Sequence, residues 1–304
     1  MKITNPNFNT GIGAIRDPMI ISYGGRYYMT GTSPQFWRGE NPGVRIFVSD
    51  DLSHWEFFTL AVDSAKIASD APCSDRFWAP ELFIHGGRFY VTFNAMNEKE
   101  AEEREKSGGN FYGGMRSFIA VSDSIGGPYT VKPEPLVNSG ILTNDAHLFA
   151  DTDGRVYLFY ATDFGIFARG FDIESLCVTG NAHLIVPKGK VGEWDSIGVE
   201  GSFVVKRGGR YYHWYSSWTR GYEMGCAVSD SVLGTYEKCA GNPVISSGGQ
   251  GKIKYCGHNS CFTLPDGRDA VAYHGNSDGE PESLCIEPVV YPPVPHAPAE
   301  AFEM

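Results

Sequence analysis

Nowhere in these 304 residues does an apolar run approach the roughly 20 positions that a membrane-spanning helix needs. The opening residues, "MKITNPNFNTGIG", hold one lysine but neither the apolar stretch nor the small-residue cleavage pattern of an export signal. The chain is therefore expected to be soluble and cytoplasmic, with no membrane partner. Lysine and arginine never gather into a block, and the formal charge is -11. The basic face that a phosphate backbone requires is missing, so nucleic acid is not an expected partner either.

The cysteines are few and badly spaced for structural work. Seven is an odd number, and Cys73, Cys177, Cys226, Cys239, Cys256, Cys261 and Cys285 show no CxxC pair, which argues against a disulfide framework and a zinc knuckle. Also absent are a GxSxG elbow, a GxxxxGK[ST] loop, an HExxH helix and EF-hand spacing. Serine hydrolase, nucleotide enzyme, zinc protease and calcium sensor lack their minimum parts, and no organic cofactor is implied. Long amphipathic helical patterns are scarce too. Only "NEKEAEEREKSGG" (97 to 109) could wind once or twice, and it reads as a solvated insertion between strands.

What is plentiful is glycine (37), proline (18) and aromatic residues (13%), the makings of a turn-rich fold with many short strands. These residues recur in order. Five segments repeat one phrase: "RDPMIISYGGRYYMTGTS" (16 to 33), "WAPELFIHGGRFYVTFNA" (78 to 95), "NDAHLFADTDGRVYLFYAT" (144 to 162), "VEGSFVVKRGGRYYHWYSS" (199 to 217) and "GHNSCFTLPDGRDAVAYHG" (257 to 275). Each has a polar or charged head, a short apolar strand, a Gly-Arg turn and an aromatic-rich second strand. Glycine allows the positive φ that a tight hairpin demands. The turn arginines, Arg26, Arg88, Arg155, Arg210 and Arg268, are 62, 67, 55 and 58 residues apart, room for about four short strands each.

The second halves agree. "IFVSDDLSHWE" (46 to 56), "FIAVSDSIGGPY" (118 to 129) and "GCAVSDSVLGTY" (225 to 236) each read as a strand, a Ser-Asp turn and a closing aromatic, whereas the third unit has "FARGFDIESL" (167 to 176) in that place. A fixed period makes one supersecondary unit the building block. The expectation is an all-β, five-bladed β-propeller with four-stranded antiparallel blades, a single domain over residues 1–304 with its active site at one end of the central axis.

In a propeller the first strand of every blade runs along the axis, so the heads of those strands converge. Nine or ten residues before each turn arginine stand Asp17, Ala79, Asp145, Glu200 and the pair His258-Asn259. Three carboxylates from three blades would share one funnel. Close carboxylates in a partly dry pocket push their protonation states apart, so that one serves as base while another keeps its proton. Inverting glycoside hydrolysis needs that pair, with room for an attacking water between groups roughly 6.5–9.5 Å apart.

With "RDP", "WAPEL", "NDAHLF", "EGSF" and "GHNS" heading successive blades, the chain resembles glycoside hydrolase family 43 from about residue 5 to 290. The resemblance implies a five-bladed propeller and inverting cleavage of glycans containing arabinose or xylose. It would make Asp17 the general base, Glu200 the general acid, and Asp145 the residue that orients substrate and holds up the pKa of Glu200. It would also put His258 under the pocket, where it helps hold a central calcium ion through water. Two departures stand out: Ala146 and Ser202 occupy positions where the family usually has proline.

Sugar rings combine apolar faces with polar edges, so aromatic walls are expected, and Trp78, Phe164 and Trp218 are the candidates. His147 and His274 read as packing residues with satisfied ring nitrogens. The fifth-blade phrase resembles arabinofuranosidase-like members of the family. The expected function is thus an exo-acting α-L-arabinofuranosidase on arabinoxylan or arabinan fragments, with a β-D-xylosidase, or a propeller that binds glycans without cleaving them, as alternatives.

Overall fold

A computed structural model describes residues 14–33, 41–109, 111–246, 253–277, 282–289 and 291. Its strands fall into five antiparallel sheets in chain order. Blade 1 comprises β1 (Arg16–Tyr23), β2 (Arg26–Thr32), β3 (Gly43–Ser49) and β4 (Glu56–Asp63). Blade 2 comprises β5 (Asp75–His85), β6 (Arg88–Met96), β7 (Arg116–Ser122) and β8 (Thr130–Lys132), and blade 3 β9 (Asn144–Ala150), β10 (Val156–Thr162), β11 (Gly165–Asp172) and β12 (Cys177–Pro187). Blade 4 holds β13 (Glu200–Arg207), β14 (Arg210–Ser217), β15 (Glu223–Ser229) and β16 (Glu237–Lys238). The fifth sheet holds β17 (Ile253–Thr263), β18 (Asp269–Ser277) and β19 (Ser283–Pro288). These are its three strands among the described residues, and the five antiparallel sheets match the expected five-bladed architecture.

The first strands lie side by side, β1 against β5, β5 against β9, β9 against β13, β13 against β17, and β17 back against β1. That closed circuit is the five-bladed propeller. Its core is correspondingly divided into five interfaces. Val44 and Ile46 meet Phe77, Leu82 and Phe93 between blades 1 and 2. Tyr90 and Ile119 meet Leu148 and Leu158 in the next gap, and Phe159 and Ile166 meet Val204 and Tyr215 in the third. Phe203 and Trp214 face Tyr273 and Cys285, and the ring closes where Ile20, Met29 and Phe47 pack on Phe262, Ala272 and Leu284. A sheet covered on both sides needs apolar residues on both faces, which is why β10 is buried at every position instead of alternating. Each large side chain buried in such a gap contributes about 1.5–3 kcal/mol relative to exposure.

The Gly-Arg turns come in two forms. Gly24-Gly25, Gly86-Gly87 and Gly208-Gly209 have two consecutive positive φ values, the two-residue hairpin turn whose twist suits the flanking strands. In blades 3 and 5 one left-handed glycine, Gly154 or Gly267, closes a longer loop by donating its N–H to the carbonyl of Asp151 or Leu264. The Ser-Asp motif is the partner of the first form. Arg26 pairs with Asp50, Arg88 with Asp123 and Arg210 with Asp230, while the arginines of the longer loops turn to their own neighbours, Arg155 to Asp153 and Arg268 to Asp266.

The charged insertion in blade 2 forms α1 (Glu98–Lys106), capped by the Asn97 side chain, which accepts from the Glu100 N–H. Only Ala101 of the helix is buried. The segment that follows departs from a merely solvated insertion: it brings Tyr112 and Met115 down onto Trp78 and Leu142.

Candidate active site

At one end of the axis each inner strand carries a β-bulge next to its head. The register sets equivalent positions without ambiguity. Arg16, Trp78, Asn144, Glu200 and Gly257 lie opposite Thr32, Asn94, Ala161, Ser216 and His274 of the second strands. The next residues, Asp17, Ala79, Asp145, Gly201 and His258, are left-handed, with φ of 52°, 42°, 52°, 66° and 49°. Four of the five are not glycine, a costly backbone that persists where surrounding structure enforces it. One equivalence assumed from sequence is corrected here. Glu200 does not match Asp17 and Asp145 but stands one residue earlier, and Gly201 takes the left-handed position.

Neighbouring blades hold these bulges in place. The N–H of Ala79 donates to Thr32 Oγ1 (2.7 Å), that of Asp145 to Asn94 Oδ1 (2.9 Å), that of His258 to Ser216 Oγ (2.8 Å) and that of Asp17 to His274 Nδ1 (3.0 Å). Each acceptor is the second-strand residue of the preceding blade. Blade 3 offers Ala161 there, which has no acceptor, and the Gly201 N–H donates instead to Asp145 Oδ2 (2.9 Å). The carboxylate of Asp145 thus completes the ring, helped by Asn94 Nδ2 donating to its Oδ1 (2.7 Å). Gly201 is needed for its φ and for closeness, since a Cβ would stand 3.3 Å from the His258 ring.

The titratable groups stand close enough to shift one another. His258 Nδ1 lies 3.3 Å from Asp17 Oδ1 and 3.6 Å from Asp145 Oδ2. Burial pulls the imidazole down, but the carboxylates of Asp145 and Asp17 outweigh it and the net shift is upward, toward a charged ring. For Asp17 burial acts against ionisation. His258, Arg16 and the 2.6 Å hydrogen bond from Thr32 prevail, and the carboxyl is held below its usual range. Asp145 moves the other way, raised first by burial and then by the nearby Asp17 charge. Glu200 is pushed up to about 8 by burial and by the charge of Asp145, although the Tyr222 hydroxyl, donating to its Oε1 at 2.5 Å, favours the ionised form. His274 is pushed down to about 3 by burial. Its Nδ1 already accepts the Asp17 N–H, so its 3.4 Å approach to Asp17 Oδ1 joins a neutral ring to a carboxylate and is no ion pair.

These groups open into a cavity of about 530 Å³, within the range of small-molecule sites. Trp78 forms part of the wall with Tyr112, ring centroids 5.6 Å apart, and Trp218 lines it from the loop between β14 and β15, set tightly over Gly198. Phe164 does not line the cavity. It sits on the β10–β11 turn, 65% exposed, while its neighbours Thr162 and Asp163 face the pocket. His147 packs with both nitrogens used, Nδ1 on Glu81 and Nε2 accepting from the Val204 N–H. His274 departs from that expectation, since its Nε2 has no partner among the described residues.

The pattern of Glycosyl hydrolases family 43 matches residues 4–292. The chain belongs to this family. The Beta-D-galactofuranosidase xynD of Aspergillus niger is 34% identical over 284 residues, 90% of this chain and 76% of that protein. Xylosidase/arabinosidase 43B of Humicola insolens is 27% identical over 288 residues, 88% of this chain but 47% of the relative. A putative beta-xylosidase of Escherichia coli is 34% identical over 162 residues, 53% of this chain and 26% of that protein. The chain spans about half the length, or less, of several curated relatives. Among solved structures, a thermostable family-43 glycoside hydrolase superposes with a TM-score of 0.76 at 28% identity, covering 95% of this chain and 93% of the other.

In this family 43 chain several pocket residues escape a reading of repeats. Arg16 and Asn144 sit at repeat heads but were overshadowed by the adjacent aspartates, and Thr32 and Asn94 lie at or within two residues of the end of second strands that read as aromatic hairpin arms. Tyr112 and Tyr222 come from loops without a repeat signature. For a calcium ion the donor set is poor. No group of three or more His, Cys, Asp or Glu side chains converges on a point among the described residues, and calcium takes six to eight oxygens. A direct calcium cage does not fit. The one matching feature is the buried Nε2 of His258, unpartnered among the described residues, which could meet such an ion only through water.

Proposed function

We propose that the chain is an inverting glycoside hydrolase, an exo-acting α-L-arabinofuranosidase that removes a terminal sugar from arabinoxylan or arabinan fragments. One observation carries the reading: a single cavity contains a carboxyl held ionised, Asp17, and another raised to about 8, Glu200. In that arrangement Asp17 takes a proton from water as the water oxygen bonds to the anomeric carbon. Glu200 gives its proton to the departing glycosidic oxygen as the old C–O bond breaks. The sugar leaves with inverted configuration, and proton exchange with solvent resets both carboxyls. Asp145, bonded to Asn94 and Gly201, supplies the charge that keeps Glu200 protonated and stands ready to orient a sugar hydroxyl. Trp78, Trp218 and His258 line the pocket as substrate contacts, and Phe164 would reach substrate only beyond its mouth. A hydrated calcium ion on His258 would add positive charge near Asp17 and Asp145, and no step above depends on it.

The relatives named as xylosidase/arabinosidase and galactofuranosidase make β-D-xylosides and β-D-galactofuranosides the competing substrates. NMR during hydrolysis of the 4-nitrophenyl α-L-arabinofuranoside, β-D-xyloside and β-D-galactofuranoside identifies both substrate and stereochemistry. The expected result is fastest release from the arabinofuranoside, with the inverted anomer appearing first. Faster release from either other glycoside corrects the substrate, and a retained anomer removes the mechanism. Binding without turnover across the series replaces the hydrolase by a glycan-binding propeller.

A further inference from the structure

Blade 5 places a glycine, Gly257, at the register position that Glu200 occupies in blade 4. A Cβ there would lie 2.4 Å from Cδ1 of Tyr222, so the bare Cα is what lets that ring enter. On other sides the ring meets the His274 imidazole, with centroids 4.9 Å apart, and the Arg16 guanidinium, 5.8 Å from its centroid. Tyr222 is 7% exposed although it comes from the loop between β14 and β15. Its hydroxyl emerges at the cavity wall and donates to Glu200 Oε1 at 2.5 Å.

We propose that Tyr222 is a positioning residue for the acid step: it holds the Glu200 carboxyl in place, reserves Oε1 as an acceptor so that the transferable proton resides on Oε2, and strengthens its hydrogen bond as Glu200 becomes a carboxylate. The chemistry is directional. A phenol donates to a neutral carboxyl weakly and to a carboxylate strongly, so the bond favours the state formed when the leaving oxygen is protonated. Burial and the surrounding carboxylates hold the phenol well above its ordinary pKa, which keeps its own proton in place as Glu200 loses one. Asn144 Nδ2, 3.4 Å from Oε2, marks the other oxygen as the less tightly held one. Ground-state geometry, proton placement and charge stabilisation thus depend on one hydroxyl delivered by a loop.

This inference rests on the hydrolase reading, and the Tyr222→Phe variant tests it separately. That change keeps the ring in its slot between Gly257, His274 and Arg16 and removes only the donor. Wild type and variant are compared on aryl glycosides of the sugar the wild type cleaves, with leaving groups from 2,4-dinitrophenol to phenol, across pH 5 to 10. The expected loss in kcat/KM is about ten- to a hundredfold for the phenyl glycoside, the size of a hydrogen bond to a charged group. It should shrink toward unity for the dinitrophenyl glycoside, which leaves without a proton. The alkaline limb of the variant should move to higher pH, since losing a donor to the carboxylate makes Glu200 harder to ionise. A misfolded fraction would lower every substrate equally and leave the limb where it was. Equal losses across leaving groups with an unmoved limb therefore overturn the proposal. An inactive wild type would instead remove the hydrolase reading beneath it.

Discussion

The same inner hairpin ends in charge twice, and the two ends could hardly differ more. At the turn end Arg88 faces Asp123, whose side chain is 87% exposed, and the corresponding pairs of the other blades are likewise open to water. At the bulge end Asp145 is 3% exposed by the same measure and shares His258 with Asp17. Ion pairs in water contribute little, because solvent screens the attraction and two long side chains must be ordered. In the dry end burial and close charges move the carboxyls in different directions, Asp17 downward and Asp145 and Glu200 upward. Repetition of a charge pattern is therefore a guide to architecture at one end and to chemistry at the other.

The contrast breaks hardest at the proposed acid and base. Glu200→Gln or Asp17→Asn should each lower kcat/KM on a phenyl glycoside by about a thousandfold, the scale of lost proton transfer, while product binding measured by calorimetry stays within a few fold. Near wild-type turnover in both variants would take the roles away from these residues.

Less drastic is pH. With Glu200 at about 8, activity should fall as pH rises through that value, about tenfold per unit beyond it, while the depressed Asp17 keeps the acid limb below the ordinary carboxylate range. Stability shares the sign. A carboxyl whose folded pKa is raised gives its full contribution below its unfolded pKa and loses it as pH climbs toward the folded one. Glu200→Gln escapes that loss, so its unfolding midpoint, measured by calorimetry, should gain on wild type between pH 4 and pH 8. A constant difference over that span would mean that Glu200 titrates normally.

Smallest of all is the turn end. Arg88→Ala or Arg26→Ala should leave kcat/KM unchanged and move the unfolding midpoint by no more than a few degrees. A loss of activity in either would erase the division between the two ends.

Much of this was legible before folding. Gly-Gly-Arg, Asp-Gly-Arg and Ser-Asp announce turns through local backbone chemistry, and their period counts the blades. The carboxylates at the strand heads could be picked out because the repeat placed them in register. Their relative register could not be. Counting back nine or ten residues from a turn arginine cannot tell Glu200 from Gly201, and a one-residue shift in a strand exchanges its faces. Phe164 failed as a wall residue for a related reason: its place after a strand was visible, but the direction taken by its turn was not.

Sequence alone determined the hairpins, their number and the presence of three carboxylates near the axis, since turn formation and strand patterning depend on neighbours a few residues apart. Tertiary structure decided which carboxyl is shifted down and which up, which histidine is drawn toward its charged form and which loop tyrosine reaches Glu200. Those outcomes depend on groups brought together from distant parts of the chain, as when the Asp17 N–H meets His274 across 257 residues of sequence. Burial and charge act through space at that meeting point, and only the closed ring of blades sets the distances.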